Sequence, residues 1–592
     1  MDEQLSARYI NSEYLFLLSW TYMDQLFGAS SKWALSQISD CLNSHVECRR
    51  LRKDVSFTPS RLINVGIREL GEDVVLENNT SIPPGSAYVA LSYCWGGYDP
   101  DCMTTADSLE DNMRRIPWSK LPATFKDAVG FTRSLGIKYL WIDSICIIQH
   151  DKRDWHQQAG LMWDIYKHSY VTLAALYGNS SKSGLRSASM EDELVKVTEF
   201  STGNHRWPVY ARALHYLQNS LEPDSDEDVQ KLSPLLSRAW AYQERMISPR
   251  VLYFTKSEII FQCFTHSTCE CGVLRHDPLL IPKPIIIHWG DTDMLECDDQ
   301  ETLASIEESE DARQWVAATW RDMIVSGYSG LLLTKSEDRL VALSAMTKQF
   351  QKLRPNETYL AGLWSGSLIE DLLWRCSDLP SEKNGQYRKD ALKRPYAFPT
   401  WSWASLQSTV DFPKYRCFVR SVSPITISEA SCHYDGHSFL GILARSVLRL
   451  RGKLTPATLK WYGHRKCVVF IPSFGNWAMV MNSSGNIQRE RYSERLYMDH
   501  DEDGYQCIPQ QQRVYLLWML VDFKAIDEDY MTRHYLILRR EEEGKDIFSR
   551  AGVMEYTAKY TDLWNYFDTT KRYTNAWSML DDQSVITECE IR

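Results

Sequence analysis

Three polar or reactive side chains stand at the end of an apolar run. Asp143, Cys146 and Gln149 lie within or just beyond Tyr139–Ile145 (YLWIDSI), a run typical of a buried strand. A carboxylate at this place can anchor a ligand or act as a general base. A thiol can act as a nucleophile where a histidine such as the nearby His150, or a helix N-terminus, lowers its pKa. The alternatives are structural: Asp143 caps the loop, and Cys146 packs as a small hydrophobic residue.

A second concentration of charge lies in SRAWAYQERMISPR, residues 237–250. Guanidinium groups in this density can bind a phosphate-bearing ligand, and Glu244 is a candidate catalytic carboxylate alongside Asp143. Trp240 and Glu244 are one turn apart on a helix predicted to begin at Ser237. The same side chains can instead form an internal ion-pair network that holds this helix to a sheet. The arginines concerned are Arg238, Arg245 and Arg250.

Two clusters of cysteine and histidine contain zinc-binding side chains without the usual zinc-site spacing. A structural zinc site normally pairs two CxxC-like half-sites across a longer loop, and neither cluster has that form. We therefore expect no metal site. The chain has 15 cysteines, and without a secretory signal these are expected to be reduced thiols. The clusters are Cys41, His45 and Cys48, and Cys263, His266, Cys269 and Cys271.

The pattern from residue 88 to residue 175 predicts the elements that position these side chains. Three apolar runs are typical of strands, and two amphipathic helices lie between them, the second with Asp154 as its N-cap. This order requires parallel pairing with right-handed crossovers. Ligands of such open sheets bind beyond the carboxyl ends of the strands, here Tyr93–Gly97 and Asp143–Gln149. The strands are predicted at Tyr88–Cys94, Tyr139–Ile145 and Tyr170–Ala175, and the first helix at Leu121–Gly136.

Size and charge limit what the whole chain can be. Its 592 residues exceed what one hydrophobic core serves, and 12% aromatic residues indicate large cores. A net charge of −11 disfavours nucleic acid as a partner. The chain has no bilayer-length apolar run and no basic signal-peptide region, so we expect a cytoplasmic protein without a membrane span. We predict an N-terminal helical segment at 1–58, an α/β domain at 59–275 and a mixed helical and β-rich region at 276–592.

Three blocks in order resemble the fungal heterokaryon-incompatibility (HET) domain. They are YVALSYCWGG (88–97), the segment from LPATFKDAVGF to YVTLAA (121–175) and PLLSRAWAYQERMISPRVLYF (234–254). A weaker resemblance extends from residue 40 to PTWSWA (399–404). The resemblance implies an effector of non-self recognition, which causes programmed cell death after unlike hyphae fuse. It also implies remote similarity to TIR domains, some of which cleave NAD or form signalling scaffolds, and hence an open, mostly parallel TIR-like or Rossmann-like sheet.

The TIR similarity bears on the residues that follow Trp155. In TIR-like NAD hydrolases, a catalytic Glu three residues after such a Trp stabilises the cation left when nicotinamide departs. This chain has Gln158 there, an amide that forms hydrogen bonds but carries no charge. Asp154, one turn earlier, is either a substitute acid or the helix cap. Whether the chain is an enzyme is therefore open, and NAD is the candidate substrate.

Three functions are compatible with these features. The first is an effector or scaffold that acts through self-association or a protein partner. The second is an enzyme that cleaves NAD or another nucleotide at the sheet edge. The third is an enzyme or accessory protein of a fungal natural-product pathway, whose C-terminal region completes a small-molecule pocket. Asp143 and Glu244 are the predicted catalytic residues. The predicted ligand-binding residues are Tyr93, Trp95, Gly96, Cys146, Gln149, Gln158, Arg238 and Arg245.

Overall fold

A computed structural model divides the chain into two compact units, residues 1–297 and 298–592. The predicted limits at residues 58 and 275 remain predictions. The described residues are 26–46, 48, 57–66, 73–97, 99–185, 195–202, 205–211, 233–256, 258–272, 288–289, 292–293, 309–376, 398–406, 408–413, 421–435, 442–462, 466–470, 479–480, 492–498, 511–523, 530–559 and 584–592.

The first unit alternates helices with short strands. Its strands are β1 (Arg61–Asn64), β2 (Val75–Asn78), β3 (Tyr88–Ser92), β4 (Tyr139–Trp141), β5 (Val171–Ala175), β6 (Val195–Thr202), β7 (His205–Ala211), β8 (Arg250–Phe254), β9 (Ile259–Cys263), β10 (Ser267–Cys269), β11 (His288–Trp289) and β12 (Thr292–Asp293). Its α-helices are α1 (Leu26–Ser44), α2 (Leu109–Arg114), α3 (Ala123–Ser134), α4 (Asp143–Cys146), α5 (Lys152–Lys167) and α6 (Ala239–Ile247). Single 3₁₀ turns span Trp118–Lys120 and Pro234–Ser237.

Eight of these strands form one sheet, in the order β10-β9-β8-β5-β3-β4-β1-β2. The centre, β4-β3-β5-β8, is parallel, with Val89 paired to Leu140 on one side and to Val171 on the other. Every residue of these four strands is buried. Parallel strands covered on both faces are expected to be apolar throughout, which is why the three predicted runs carry no alternation. Their predicted parallel pairing is confirmed. The predicted extent Tyr139–Ile145 is wrong for the middle strand, because β4 ends at Trp141 and Asp143–Cys146 forms the short helix α4.

The prediction of a mostly parallel sheet is wrong for the sheet as a whole. Four of its seven strand pairings, those at the two edges, are antiparallel, so the sheet is mixed. Strand β8 is followed by β9 after only four residues, and β10 follows β9 after three. Connections of this length allow only antiparallel hairpins, because a parallel crossover needs a dozen or more residues. The apolar runs indicate strands without fixing their direction.

Helix α3 has the face that the sequence predicted. Phe125, Ala128, Val129 and Thr132 are all buried. Gly136 follows the helix with a φ of 71°, and its amide donates to the Arg133 carbonyl at 3.0 Å. A left-handed residue at this place is the usual helix stop, and glycine adopts it without a Cβ clash. The predicted role of Gly136 is confirmed.

The N-cap of α5 is not the predicted residue. Asp151 caps the helix, because its carboxylate accepts from the amides of Arg153 and Asp154. Asp154 lies inside the first turn, where its side chain forms an ion pair with Arg61 at 2.5 Å and accepts from the Ile148 amide at 2.7 Å. Asp151 and Asp154 are both candidate caps in the sequence. Arg61 on β1 pairs with Asp154, so Asp151 is the residue left to cap the helix.

The second unit is rich in β-structure, as predicted. Its strands are β13 (Tyr359–Leu360), β14 (Leu363–Trp364), β15 (Arg375–Cys376), β16 (Val410–Asp411), β17 (Ser421–Val422), β18 (Thr426–Asp435), β19 (Ile442–Tyr462), β20 (Lys466–Phe470), β21 (Met479–Val480), β22 (Tyr492–Met498), β23 (Gln511–Phe523), β24 (Tyr530–Arg540), β25 (Ile547–Lys559) and β26 (Val585–Ile591). The pairing β19-β23-β24-β25-β26 returns to β19, so these five strands close into a ring.

The described part of the second unit also contains helices and buried tryptophans. Its helices are α7 (Glu310–Thr319), continued by a π-helical turn at Trp320–Val325, α8 (Ser326–Ser329), α9 (Ser344–Leu353) and α10 (Leu368–Asp371). Trp320 and Trp403 both donate to the Gly362 carbonyl, at 3.0 and 3.1 Å. Buried indole N–H groups need such acceptors. Among the described helices of the chain, none is both long and apolar enough to cross a bilayer.

Candidate functional site

The ends of β3 and β4 bring the predicted site residues to one edge of the sheet. The strands are parallel and in register, with Ala90 opposite Trp141. The residues that leave β3, from Tyr93 onward, therefore lie beside Asp143, which opens α4 directly after β4. Helix α6 supplies Arg238 at its N-cap and Glu244 near its end. We call Ser92, Tyr93, Trp95, Asp143, Ser144, Arg238 and Glu244 the strand-end cluster.

Asp143 is held by N–H donors on both carboxylate oxygens. The Trp95 indole donates to Oδ2 at 2.7 Å, and the Ser144 amide donates to Oδ1 at 2.6 Å. Burial raises the pKa of Asp143 above its ordinary value, while these two hydrogen bonds and the Arg238 charge act to lower it. Gln149 donates to the backbone carbonyl of Asp143 at 3.2 Å and not to its carboxylate. Trp95 and Asp143 thus form one polar unit at the strand ends.

Glu244 is the more deeply buried carboxylate of the cluster, with 8% of its surface exposed. Burial raises its pKa from 4.5 to about 7, and the charge of Asp143 adds to the rise. The Ser92 hydroxyl donates to Glu244, and the nearby Arg238 guanidinium limits the shift. A carboxyl with a pKa near neutrality exchanges its proton readily at cellular pH.

Arg238 connects the end of β3 to α6. Its Nη1 donates to the Tyr93 carbonyl at 2.6 Å, and its charge acts on both Asp143 and Glu244. The Tyr93 hydroxyl donates to Ser144 at 2.9 Å, which fixes the aromatic ring beside Asp143. Two carboxylates in unlike surroundings with one shared cation are the arrangement from which acid–base pairs are built.

Gly96 shapes the turn that follows Trp95. Its φ is 80°, and a Cβ there would lie 2.2 Å from the Cβ of Ser180. Both the left-handed backbone and the close approach require glycine. This steric requirement accounts for Gly96 without a ligand, and its ligand-binding role remains a prediction.

Besides Gly96 and Gln149, three of the predicted residues lie outside the cluster. Cys146 has no exposed surface, and burial raises its pKa to about 12. Gln158 is 1% exposed and donates to Ser60 at 3.1 Å. Arg245 stacks on Tyr242 at 5.6 Å. Roles for these three in ligand binding remain predictions, and each now has a structural contact that explains its presence.

Arg250 belongs to the interior of the sheet. It is 3% exposed, and its Nε donates to the Tyr170 carbonyl at 2.7 Å. This contact favours the structural alternative for Arg250, although its partner is a backbone oxygen and not a carboxylate.

A small cavity lies under the cluster, between Ser92 and Arg245. Its volume is about 10 Å³, which is room for about one water molecule. Leu176, Leu235 and Tyr253 also line it. A nucleotide does not fit in this space.

Sequence reasoning missed the two serine hydroxyls of the cluster. Ser92 ends the apolar run of β3, and Ser144 follows Asp143, so each was counted with its strand or loop. The signal in both cases is a small polar residue immediately beside a candidate carboxylate or strand end, where a hydroxyl can donate to a buried acceptor.

Two groups of metal-ligating side chains lie away from the cluster in the described part of the first unit. Cys41, His45, Cys48 and Cys263 form one group, in which the ligand atoms all lie within 4.8 Å of one another. Glu258, Cys269 and Cys271 form the other. Each group joins side chains that are separate in sequence.

Comparison with known proteins assigns the region around the cluster to a family. Residues 88–244 match the family described as Heterokaryon incompatibility protein (HET). This range begins with β3 and ends at Glu244, so it contains the whole strand-end cluster. Residues 88–244 therefore carry a HET domain, as the sequence resemblance predicted. Neither a curated protein nor a solved structure matches the chain.

Proposed function

We propose that this protein is an effector of fungal non-self recognition, which arrests growth and kills the cell after unlike hyphae fuse. The observation that carries the proposal is the position of the strand-end cluster. All seven of its residues lie inside the HET match at 88–244, and they converge from β3, α4 and α6 on one sheet edge. A partner protein or a second copy of the chain is the expected trigger.

Cleavage of NAD or a related nucleotide is the second candidate activity. It is favoured by the pairing of Asp143 with Glu244, whose pKa is raised to about 7, because bond cleavage at a glycosidic carbon uses such carboxylates. The cavity of about 10 Å³ beside Ser92 is far too small for NAD.

Induced expression of the full chain in a filamentous fungus is expected to stop growth and reduce the number of viable cells at least about tenfold, because a high concentration favours association of the chain with a second copy. The matched control is Glu110→Gln, a change at a side chain that is 84% exposed on α2, and it is expected to arrest growth equally. Normal growth at confirmed protein levels would contradict the proposal.

Measurement of NAD in the same cultures separates the two candidate activities. Growth arrest at unchanged NAD supports the effector without nucleotide cleavage. A fall in NAD that precedes the arrest, together with nicotinamide release by the purified protein, would support the enzyme instead.

A further inference from the structure

Four side chains that are far apart in sequence meet at one edge of the first unit. Cys41 lies in the last turn of α1, His45 and Cys48 follow that helix, and Cys263 ends β9. The Nδ1 of His45 lies 3.4 Å from the Sγ of Cys263. All four ligand atoms lie within 4.8 Å of one another. Three thiols and one imidazole are therefore directed at a common point.

We propose that Cys41, His45, Cys48 and Cys263 bind a structural zinc ion. Three thiolates and one imidazole are a common ligand set of structural zinc sites. In a tetrahedral site with ordinary bond lengths, ligand atoms lie about 3.3 to 3.8 Å apart. The observed separation of 3.4 Å between His45 and Cys263 falls in this range, so a zinc ion requires little movement of either side chain.

The surroundings of the four ligands fit a closed site. Cys41, Cys48 and Cys263 are at most 1% exposed. The amide of Thr265 points to the Sγ of Cys263 at 3.4 Å, and the Thr265 hydroxyl lies 3.6 Å from the Sγ of Cys48. N–H and O–H donors beside metal-bound sulfur stabilise its negative charge and hold it in place.

His266 packs behind the ligand set. Its ring meets the His45 ring edge to face at 4.7 Å between centroids. It belongs to the tight turn between β9 and β10, where the Cys263 amide donates to the His266 carbonyl at 3.0 Å. This hairpin holds the backbone of Cys263 rigidly, and a fixed ligand orientation is what a structural metal site needs.

A zinc ion here would connect α1 to the antiparallel edge of the sheet. Three ligands precede the HET match at 88–244 and the fourth follows it, so the metal would join the two segments that flank the matched region. The cross-link would close a loop of more than 200 residues, since His45 and Cys263 are 218 positions apart. Residues 41–48 supply three ligands and β9 supplies the fourth. Neither segment alone has the spacing of a zinc site, which is why the sequence predicts no metal.

The purified full chain, dialysed free of loosely held metal, is expected to contain about one zinc ion per chain by mass spectrometry of the metal. Cys263→Ser is expected to lower the zinc content at least about tenfold, because it removes one of four ligands. The matched control is Cys102→Ser, a buried cysteine of the same unit outside both metal-ligating groups, and it should keep its zinc. Equal zinc in the unaltered chain and in Cys263→Ser would overturn the proposal.

Cobalt(II) provides a readout that does not depend on a variant that folds. Added to the metal-free full chain, it is expected to give the visible bands of tetrahedral cobalt with sulfur-to-metal charge-transfer absorption, since cobalt takes the geometry and thiolate ligands of zinc sites. Absence of these bands would overturn the proposal. So would a disulfide between any two of Cys41, Cys48 and Cys263 in protein kept in a reducing buffer.

Discussion

The unaltered protein is expected to lose about 3 kcal/mol of stability as the pH rises from about 5 to about 8, and Glu244→Gln is expected to abolish this loss. The pKa of Glu244 is about 7 in the folded chain against an ordinary value of 4.5. Between these two values the folded protein holds a proton that the unfolded chain has released. The free energy of unfolding therefore falls with rising pH across this window and levels off above the folded-state pKa.

Urea unfolding at a series of pH values measures this effect as the difference between the variant and the unaltered protein. The glutamine amide carries no charge. The free energy of unfolding of the variant should therefore rise by about 3 kcal/mol relative to that of the unaltered protein across the window. Glu110→Gln is the control, because that side chain is 84% exposed and should leave the profile unchanged. Parallel profiles for Glu244→Gln and the unaltered protein would mean that burial does not keep Glu244 protonated.

Asp154→Ala is expected to destabilise the first unit by about 3 kcal/mol. Arg61 and Asp154 are only 10% and 11% exposed and lie 2.5 Å apart. Removal of the carboxylate leaves the guanidinium charge in a poorly solvated place and takes the acceptor from the Ile148 amide. The loss should appear as faster hydrogen exchange in peptides that cover β1 and α5.

Asp151→Ala is the matched control for this ion pair. Asp151 is an aspartate of the same helix, but its role is the N-cap, which contributes about 1 kcal/mol. Asp154→Ala should therefore accelerate exchange clearly more than Asp151→Ala. The reverse order would show that the Arg61–Asp154 ion pair contributes less to stability than the Asp151 cap.

Local sequence patterns predicted the centre of the first unit well. Apolar runs without alternation identified β3, β4 and β5, and the rule for ligand sites at carboxyl strand ends placed Trp95 beside Asp143, where an N–H···O bond of 2.7 Å joins them. The buried face of α3 and the stop at Gly136 also follow from residue spacing. These features depend on contacts that are local in sequence or repeat along one element.

What the sequence could not predict depends on distant segments. The antiparallel direction of β9 and β10 depends on the short connections β8–β9 and β9–β10, and the ends of these connections are not marked by residue propensity. Asp154 looks like a cap until Arg61 is brought to it from 93 residues away. Cys41, His45 and Cys48 look like an incomplete metal site until β9 adds Cys263. In each case a tertiary contact outweighs the local preference.

The central claim is that the strand-end cluster is the functional site of the HET domain. Its most direct test is the growth of fungal cells that express Asp143→Asn at the same level as the unaltered chain, with folding checked by thermal unfolding. The asparagine carbonyl can still accept from the Trp95 indole, but its NH2 group cannot accept from the Ser144 amide. The change therefore removes the charge and one of two hydrogen bonds, and the unfolding measurement shows whether the fold is kept. We predict that Asp143→Asn no longer arrests growth. Arrest as complete as that caused by the unaltered chain would contradict the assignment of the site.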